Sequence, residues 1–187
     1  MIKITGGDLR GRSLRWQSRD DLRPTSAKVR EAIFNVMRDY VADSTWLDLC
    51  AGTGIMGVEA LSRGAAHVHF VERHGRSLGQ LRENLKTLSL TEQATLYSRD
   101  VVSFLHQWKQ PVDVIFCDPP YDSRVYKPIF ELLDAGMPLW GTGQTQILIE
   151  HRKNRELTDF PFQHLQIHQV RPYGDTTLTW LVQKSHG

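Results

Sequence analysis

Leu47-Asp48-Leu49-Cys50-Ala51-Gly52-Thr53-Gly54-Ile55-Met56-Gly57 sets a Gly-x-Gly-x-x-Gly pattern between a short apolar run and the start of a helical one. Such a turn after a strand is the place where an α/β chain approaches a nucleoside-bearing ligand. Gly52 and Gly54 allow the backbone to turn tightly, and Gly57 permits close packing of helix on strand. Outward from the turn the pattern alternates. Apolar runs at Thr45 to Cys50, His67 to Glu72, Ala94 to Ser98, Val112 to Cys117 and Gln146 to Glu150 are each followed by a helix-like segment. This predicts a parallel sheet with helices on both faces. Leu78, Leu81, Leu85 and Leu88 form an apolar helical stripe and read as core. Near the C-terminus, Leu165 to Val170 and Thr177 to Val182 flank Arg171-Pro172-Tyr173-Gly174-Asp175, which predicts a hairpin.

The 187 residues are 40% apolar and 24% charged, enough for one domain with a buried core. No run approaches the roughly 18 apolar residues of a membrane span, and the first residues lack a signal-peptide core, so the expectation is cytoplasmic. Cys50 and Cys117 sit in apolar stretches without metal-ligand spacing, so neither a disulfide nor a metal is expected. The histidines likewise show no ligand spacing; His67 and His69 read as structural, and Trp16, Trp108, Trp140 and Trp180 as core or rim.

Net charge is +2, but residues 1 to 40 hold nine Lys/Arg against five acids while the remainder is slightly acidic. A basic arm on an acidic body suits a polyanionic partner, although a solvated loop reads the same way on charge alone. Gly6-Gly7 and Gly11 favour an extended ribbon at the start of the arm. Pro24, Thr25 and Ser26 then mark the start of a helix carrying Val29, Ile33, Val36, Met37 and Tyr40.

The glycine turn alone also suits a nicotinamide dehydrogenase. Asp48 argues otherwise. A carboxylate at that strand end repels a pyrophosphate and attracts the ammonium of a methionine moiety, which points to S-adenosyl-L-methionine. Glu72, 20 residues after Gly52, is placed to accept from ribose hydroxyls. Asp100 follows the third run and reads either as an acceptor for the adenine amino group or as a helix N-cap. Ala51, Arg73 and Val101 flank these positions and complete the expected cofactor set.

Asp118-Pro119-Pro120-Tyr121 follows the fourth run. Paired prolines fix two φ angles and offer no N–H, leaving stiff acceptors. An exocyclic amino group held by the Asp118 carboxylate and the Pro119 carbonyl has its lone pair directed at an incoming methyl. Tyr121 offers a stacking face for the base. In-line alignment supplies most of such a catalysis, so no metal or nucleophilic side chain is required.

Together, Gly52 to Gly57 and Asp118 to Tyr121 resemble the class I amino-methyltransferases, over roughly residues 45 to 150. Ile4 to Leu14, Leu22 to Asn35, Asp48 to Ala65 and Tyr173 to Thr176 extend the likeness over nearly the whole chain, to the bacterial RsmD family. That resemblance implies a Rossmann-like, seven-stranded, mostly parallel sheet with a C-terminal antiparallel hairpin. It also implies methylation of guanine N2 in 16S rRNA of a partly assembled small ribosomal subunit, with S-adenosyl-L-methionine as donor. Cys50 stands where phenylalanine is usual in the family, and Glu72-Arg73-His74 lacks a second acid often found there. Residues 1–40 are then an RNA-contacting extension, with Arg10, Arg12, Arg23 and Arg30 as phosphate contacts or as ties to the body, and 41–187 the methyltransferase domain. Adenine-N6 methylation of DNA or RNA is the nearest alternative. Protein glutamine methylation and a silent RNA-binding module are weaker ones.

Overall fold

The computed structural model describes residues 1–16, 25–120, 124–152 and 160–184. The arm begins as a two-stranded ribbon: β1 (Ile2–Lys3) pairs antiparallel with β2 (Ser13–Leu14). Helix α1 (Ala27–Met37) starts where the sequence predicts, with the Ser26 hydroxyl accepting from the Val29 N–H at 3.3 Å. Tyr40 lies beyond it, in a 3₁₀ turn.

The body alternates strand and helix: β3 (Thr45–Leu49), α2 (Ile55–Ser62), β4 (His67–Glu72), α3 (Gly75–Thr87), β5 (Ala94–Ser98), α4 (Val101–Leu105), β6 (Val112–Cys117), α5 (Tyr126–Trp140), β7 (Gly141–Arg152), β8 (Leu165–Tyr173) and β9 (Thr176–Gln183). The seven strands from β3 to β9 form one sheet in the order β5-β4-β3-β6-β7-β9-β8. β9 runs antiparallel to both neighbours, which makes the expected hairpin. The order reverses at β3, whose following loop therefore opens on a crevice at the carboxyl edge.

Both faces of the sheet are covered, which explains the near-continuous apolar runs. Alternate strand residues go to opposite sides. Trp46, Val68, Phe70, Phe116 and Leu148 pack with the ribbon, α1, α2 and α3, while Leu47, Val71, Ile115, Ile149 and Leu181 pack with α4 and α5. The ribbon and α1 thus share one core with the sheet through Ile4, Leu14, Ile33 and Phe34. Trp46, Trp108, Trp140 and Trp180 are buried, and Trp16 is half-buried.

Several boundaries differ from the sequence expectation: β8 runs on to Tyr173 and β9 starts at Thr176, so the hairpin turn is Gly174-Asp175 alone, and β7 extends to Arg152. β3 stops at Leu49 because Cys50 already turns, with φ at 59°. β7 begins at Gly141 rather than Gln146, since α5 passes straight into it; its pairing with β6 shifts between Val112 and Val114.

A candidate active site at the carboxyl edge of the sheet

The glycine turn is built by backbone bonds and by what its glycines leave out. The Ala51 N–H donates to the Val71 carbonyl at 3.0 Å, and Gly54 N–H to the Ala51 carbonyl at 2.7 Å. Gly54 has φ of 73°, and a Cβ there would lie 2.4 Å from Leu81 Cδ1. A Cβ on Gly57 would lie 2.3 Å from Phe70 Cε1, so α2 rests on β4 at a separation only glycine allows.

Asp48 is buried, and its Oδ2 accepts from the Gly57 N–H at 3.0 Å. Burial pushes its carboxyl up to about 8; the Gly57 bond opposes this and the Glu72 charge adds to it. Glu72, at the end of β4, joins two turns: Oε2 accepts from Gly52 N–H at 2.9 Å and Oε1 from His74 N–H at 2.8 Å. It therefore fixes the glycine turn as well as standing at the edge. Asp100 is the N-cap of α4, where Oδ1 accepts from Val102 and Ser103 N–H at 3.0 and 3.3 Å. Oδ2 takes part in neither bond. Val101 is buried, Ala51 half-buried, and Arg73 exposed with its Nε donating to His74 Nε2.

The turn after β6 meets the turn after β3. The Asp118 N–H reaches the Leu49 carbonyl at 3.4 Å, and its half-buried side chain lies within the electrostatic reach of Asp48 and Cys50. Desolvation raises the Asp118 carboxyl well above the usual range, and the Glu150 charge raises it further. Pro119 is buried and Pro120 exposed. The Pro119 carbonyl, expected to face a ligand, already accepts from the Tyr126 hydroxyl at 3.1 Å; that same hydroxyl lies 3.4 Å from the Glu150 carbonyl. One of its two lone pairs is thereby committed, and Tyr126 sets its direction. Tyr121 lies outside the described residues.

The basic arm divides. Arg10 and Arg12 are exposed, Arg12 also donating through Nη2 to the Thr87 carbonyl at 3.0 Å. Arg23 lies outside the described residues. Arg30 is not a phosphate contact. It is 2% exposed, pairs with Glu59 at 2.9 Å, and gives its two Nη groups to the Thr25 and Lys3 carbonyls. A guanidinium with those partners has no face left for RNA, so it ties α1 to the ribbon and to α2.

Three residues of this architecture carry no weight in the motif reading. Glu59 and Thr25 lie inside helical and capping patterns that explain them locally. Glu150 closes a strand run as Glu72 does, and that signal could have singled it out. Its Oε2 accepts from Thr25 Oγ1 at 3.0 Å, and it is 4% exposed. Among the described residues, no group of three or more His, Cys, Asp or Glu could hold a metal ion.

The chain is similar along its length to proteins already classified. It is 31% identical to ribosomal RNA small subunit methyltransferase D of Escherichia coli (strain K12), over 100% of this chain and 92% of that one. It is 36% identical to the protein of the same name in Haemophilus influenzae, over 83% and 81%. The solved structure of yhhF from Escherichia coli superposes with a TM-score of 0.85 at 30% identity, covering 99% of each chain. The family model described as "Conserved hypothetical protein 95" matches residues 2–182, and with it the glycine turn, the Asp118 turn and the ribbon all fall in place: the chain belongs to this, the RsmD family of methyltransferases.

Proposed function

We propose that this chain transfers a methyl group from S-adenosyl-L-methionine to the exocyclic N2 amine of a guanine in 16S rRNA, within an assembling small ribosomal subunit in the cytoplasm. The relatives' activity on small-subunit rRNA supports the substrate class. The observation that carries the reading is the meeting of two turns: the Asp118 N–H bonds the Leu49 carbonyl at the end of β3, where the glycine turn begins.

The residues present fit such a donor. Asp48, Glu72 and Asp118 are carboxylates gathered at one edge, an arrangement that favours a sulfonium and an ammonium and disfavours a pyrophosphate. Asp48 and the turn from Ala51 to Gly57 would hold the methionine end, Glu72 the ribose, and Asp100 with Val101 the adenine; Arg73 borders the site. When bound, the sulfonium supplies an activated methyl.

The chain's own residues supply position and a proton acceptor. Asp118 accepts from one N–H of the amine, which directs the nitrogen lone pair along the transfer path. As the N–C bond forms and the S–C bond breaks, positive charge grows on nitrogen. The Asp118 carboxylate stabilises that charge and takes the proton, leaving methylated amine and S-adenosylhomocysteine. Ribbon and α1 form the RNA-contacting extension, with Arg10 and Arg12 reaching phosphates and helping offset the few kcal/mol of extruding a base.

Incubation with radiolabelled donor and separate naked rRNA, immature subunits, DNA and protein, followed by nucleoside analysis, tests this. Label is expected on N2-methylguanosine from rRNA or immature subunits. Label on N6-methyladenosine or on protein would overturn it. No helix in the described residues is long and apolar enough to cross a membrane.

A further inference from the structure

Glu150 stands next to the proposed catalytic aspartate without a part in the chemistry so far. β6 and β7 run parallel, their last pair is Cys117 with Ile149, and Asp118 and Glu150 each follow one residue on, close enough for the Glu150 charge to bear on Asp118. Cys117 and Ile149 turn to the α4–α5 side of the sheet, whereas Phe116 and Leu148 turn to the side of α1 and α2. Alternation assigns Glu150 to the latter side, as its bond from Thr25 at the start of α1 confirms.

A carboxylate this well buried has a restricted orientation, and Thr25 fixes it further through Oε2. Thr25 lies within the basic arm, one residue before the N-cap of α1, so the arm helps hold Glu150 in place. The edge thus offers two acid groups side by side, each an acceptor. Such a pair matches a base edge with two adjacent donors. Guanine has one, N1–H next to the N2 amine. In adenine and cytosine the ring nitrogen beside the amine is itself an acceptor, and a second carboxylate there meets a lone pair.

We propose that Glu150 is a specificity-determining residue that accepts the N1–H of the target guanine beside the amine held by Asp118. This rests on the guanine-N2 reading and sharpens it. A flipped base is read on its Watson–Crick edge, and a site built to accept a hydrogen rejects an analogue that brings an acceptor instead. Glu150 would then exclude adenine by repulsion as much as it selects guanine by attraction.

The test uses ligated small-subunit rRNA, assembled as the preferred substrate, carrying either guanine or 2,6-diaminopurine at the nucleotide that accepts label. Diaminopurine keeps the 2-amine but has a bare N1. The unmodified enzyme is expected to favour guanine by roughly tenfold or more in kcat/KM. Glu150→Gln keeps the shape and an acceptor for Thr25, and its amide N–H can serve N1 of the analogue, so the preference should shrink to about twofold or reverse. Glu150→Asp, which shortens the reach and keeps the charge, should narrow it in the same direction and serves where the amide variant does not fold. Equal loss of both rates with the ratio intact would overturn the assignment and leave Glu150 structural. So would an unmodified enzyme indifferent to the two bases. Label found on adenine in place of guanine would instead bring down the guanine-N2 reading itself.

Discussion

Arg30 and Glu59 form an ion pair at 2.9 Å with both side chains almost wholly withdrawn from solvent. Glu59 also accepts from the Thr5 N–H and hydroxyl and from Arg63, whose guanidinium lies 4.7 Å over the Phe34 ring. One carboxylate therefore joins the ribbon, α1 and the end of α2. Breaking a buried pair by removing one partner strands a charge. Arg30→Ala should cost about 3–5 kcal/mol in urea unfolding. Because Arg30 faces the core, the salt slope of RNA binding should remain unchanged wherever the variant is folded.

Asp118→Ala should lower kcat by about 10²-fold or more, since it removes the group proposed to orient the amine and stabilise its developing charge. Calorimetric titration with S-adenosyl-L-methionine should still detect binding, because the proposed donor site is made by Asp48, Glu72 and the glycine turn. Loss of binding together with turnover would place Asp118 in the donor's pocket rather than the acceptor's.

Asp48 gives a pH dependence of definite sign. Its carboxyl holds a proton up to about pH 8 in the folded chain, against roughly 3.9 when unfolded. Between those values the folded state binds more protons than the unfolded one, so this group's contribution to stability declines as pH rises from about 4 to 8. Ligand-free protein should melt at lower temperature at pH 8 than at pH 6. Asp48→Asn should flatten that part of the profile. A cationic donor favours the ionised form, so its Kd should fall as pH rises through the same window, and the Asn variant should lose this dependence.

Gly57→Ala tests the close seat of α2 on β4. The new methyl would meet Phe70 and Val68 at 2.3 to 2.7 Å, forcing the helix or the ring to shift. A loss of about 1–3 kcal/mol in the urea midpoint is expected. Since the Gly57 N–H bonds Asp48, donor affinity measured by calorimetry should weaken as well.

Arg10→Ala with Arg12→Ala should weaken rRNA binding most at low salt and reduce the log–log salt slope by about 1.4 for the two charges. Arg12 also donates to the Thr87 carbonyl, so a melting curve of the pair separates a folding cost from lost phosphate contacts. A slope left unchanged would assign both arginines to the fold.

The sheet was legible in the sequence because its signals are local. Apolar runs of the right length, glycines from Gly52 on, just past the first strand, and a capping Ser26 each need only their neighbours. Strand ends also announce the site, since an acid closing an apolar run must face the crevice or be buried at a cost. What escaped is long-range. Arg30 reads as one more charge of a basic arm, and only a carboxylate 29 residues away turns it inward. The Thr25–Glu150 bond spans 125 residues and depends on β6–β7 register, which no periodicity reveals. Proline stiffness marks the Pro119 carbonyl as an acceptor, but the Tyr126 hydroxyl that engages one of its lone pairs stands seven positions on and has no local signal.

The ribbon's seat on the end of α2 bears on how this chain can be shortened. The Asp8 N–H and the Leu9 N–H bond the Ser62 carbonyl and hydroxyl, and the same hydroxyl donates to the Gly6 carbonyl. A Cβ on Gly7 would fall 1.7 Å from the Ser62 oxygen, so the two backbones touch. Cutting away the first sixteen residues is therefore no trimming of a tail. It would uncover the terminal carbonyls of the helix that opens at the glycine turn, leave Glu59 short of its Thr5 donors, and open to water the apolar patch beneath Ile4 and Leu14.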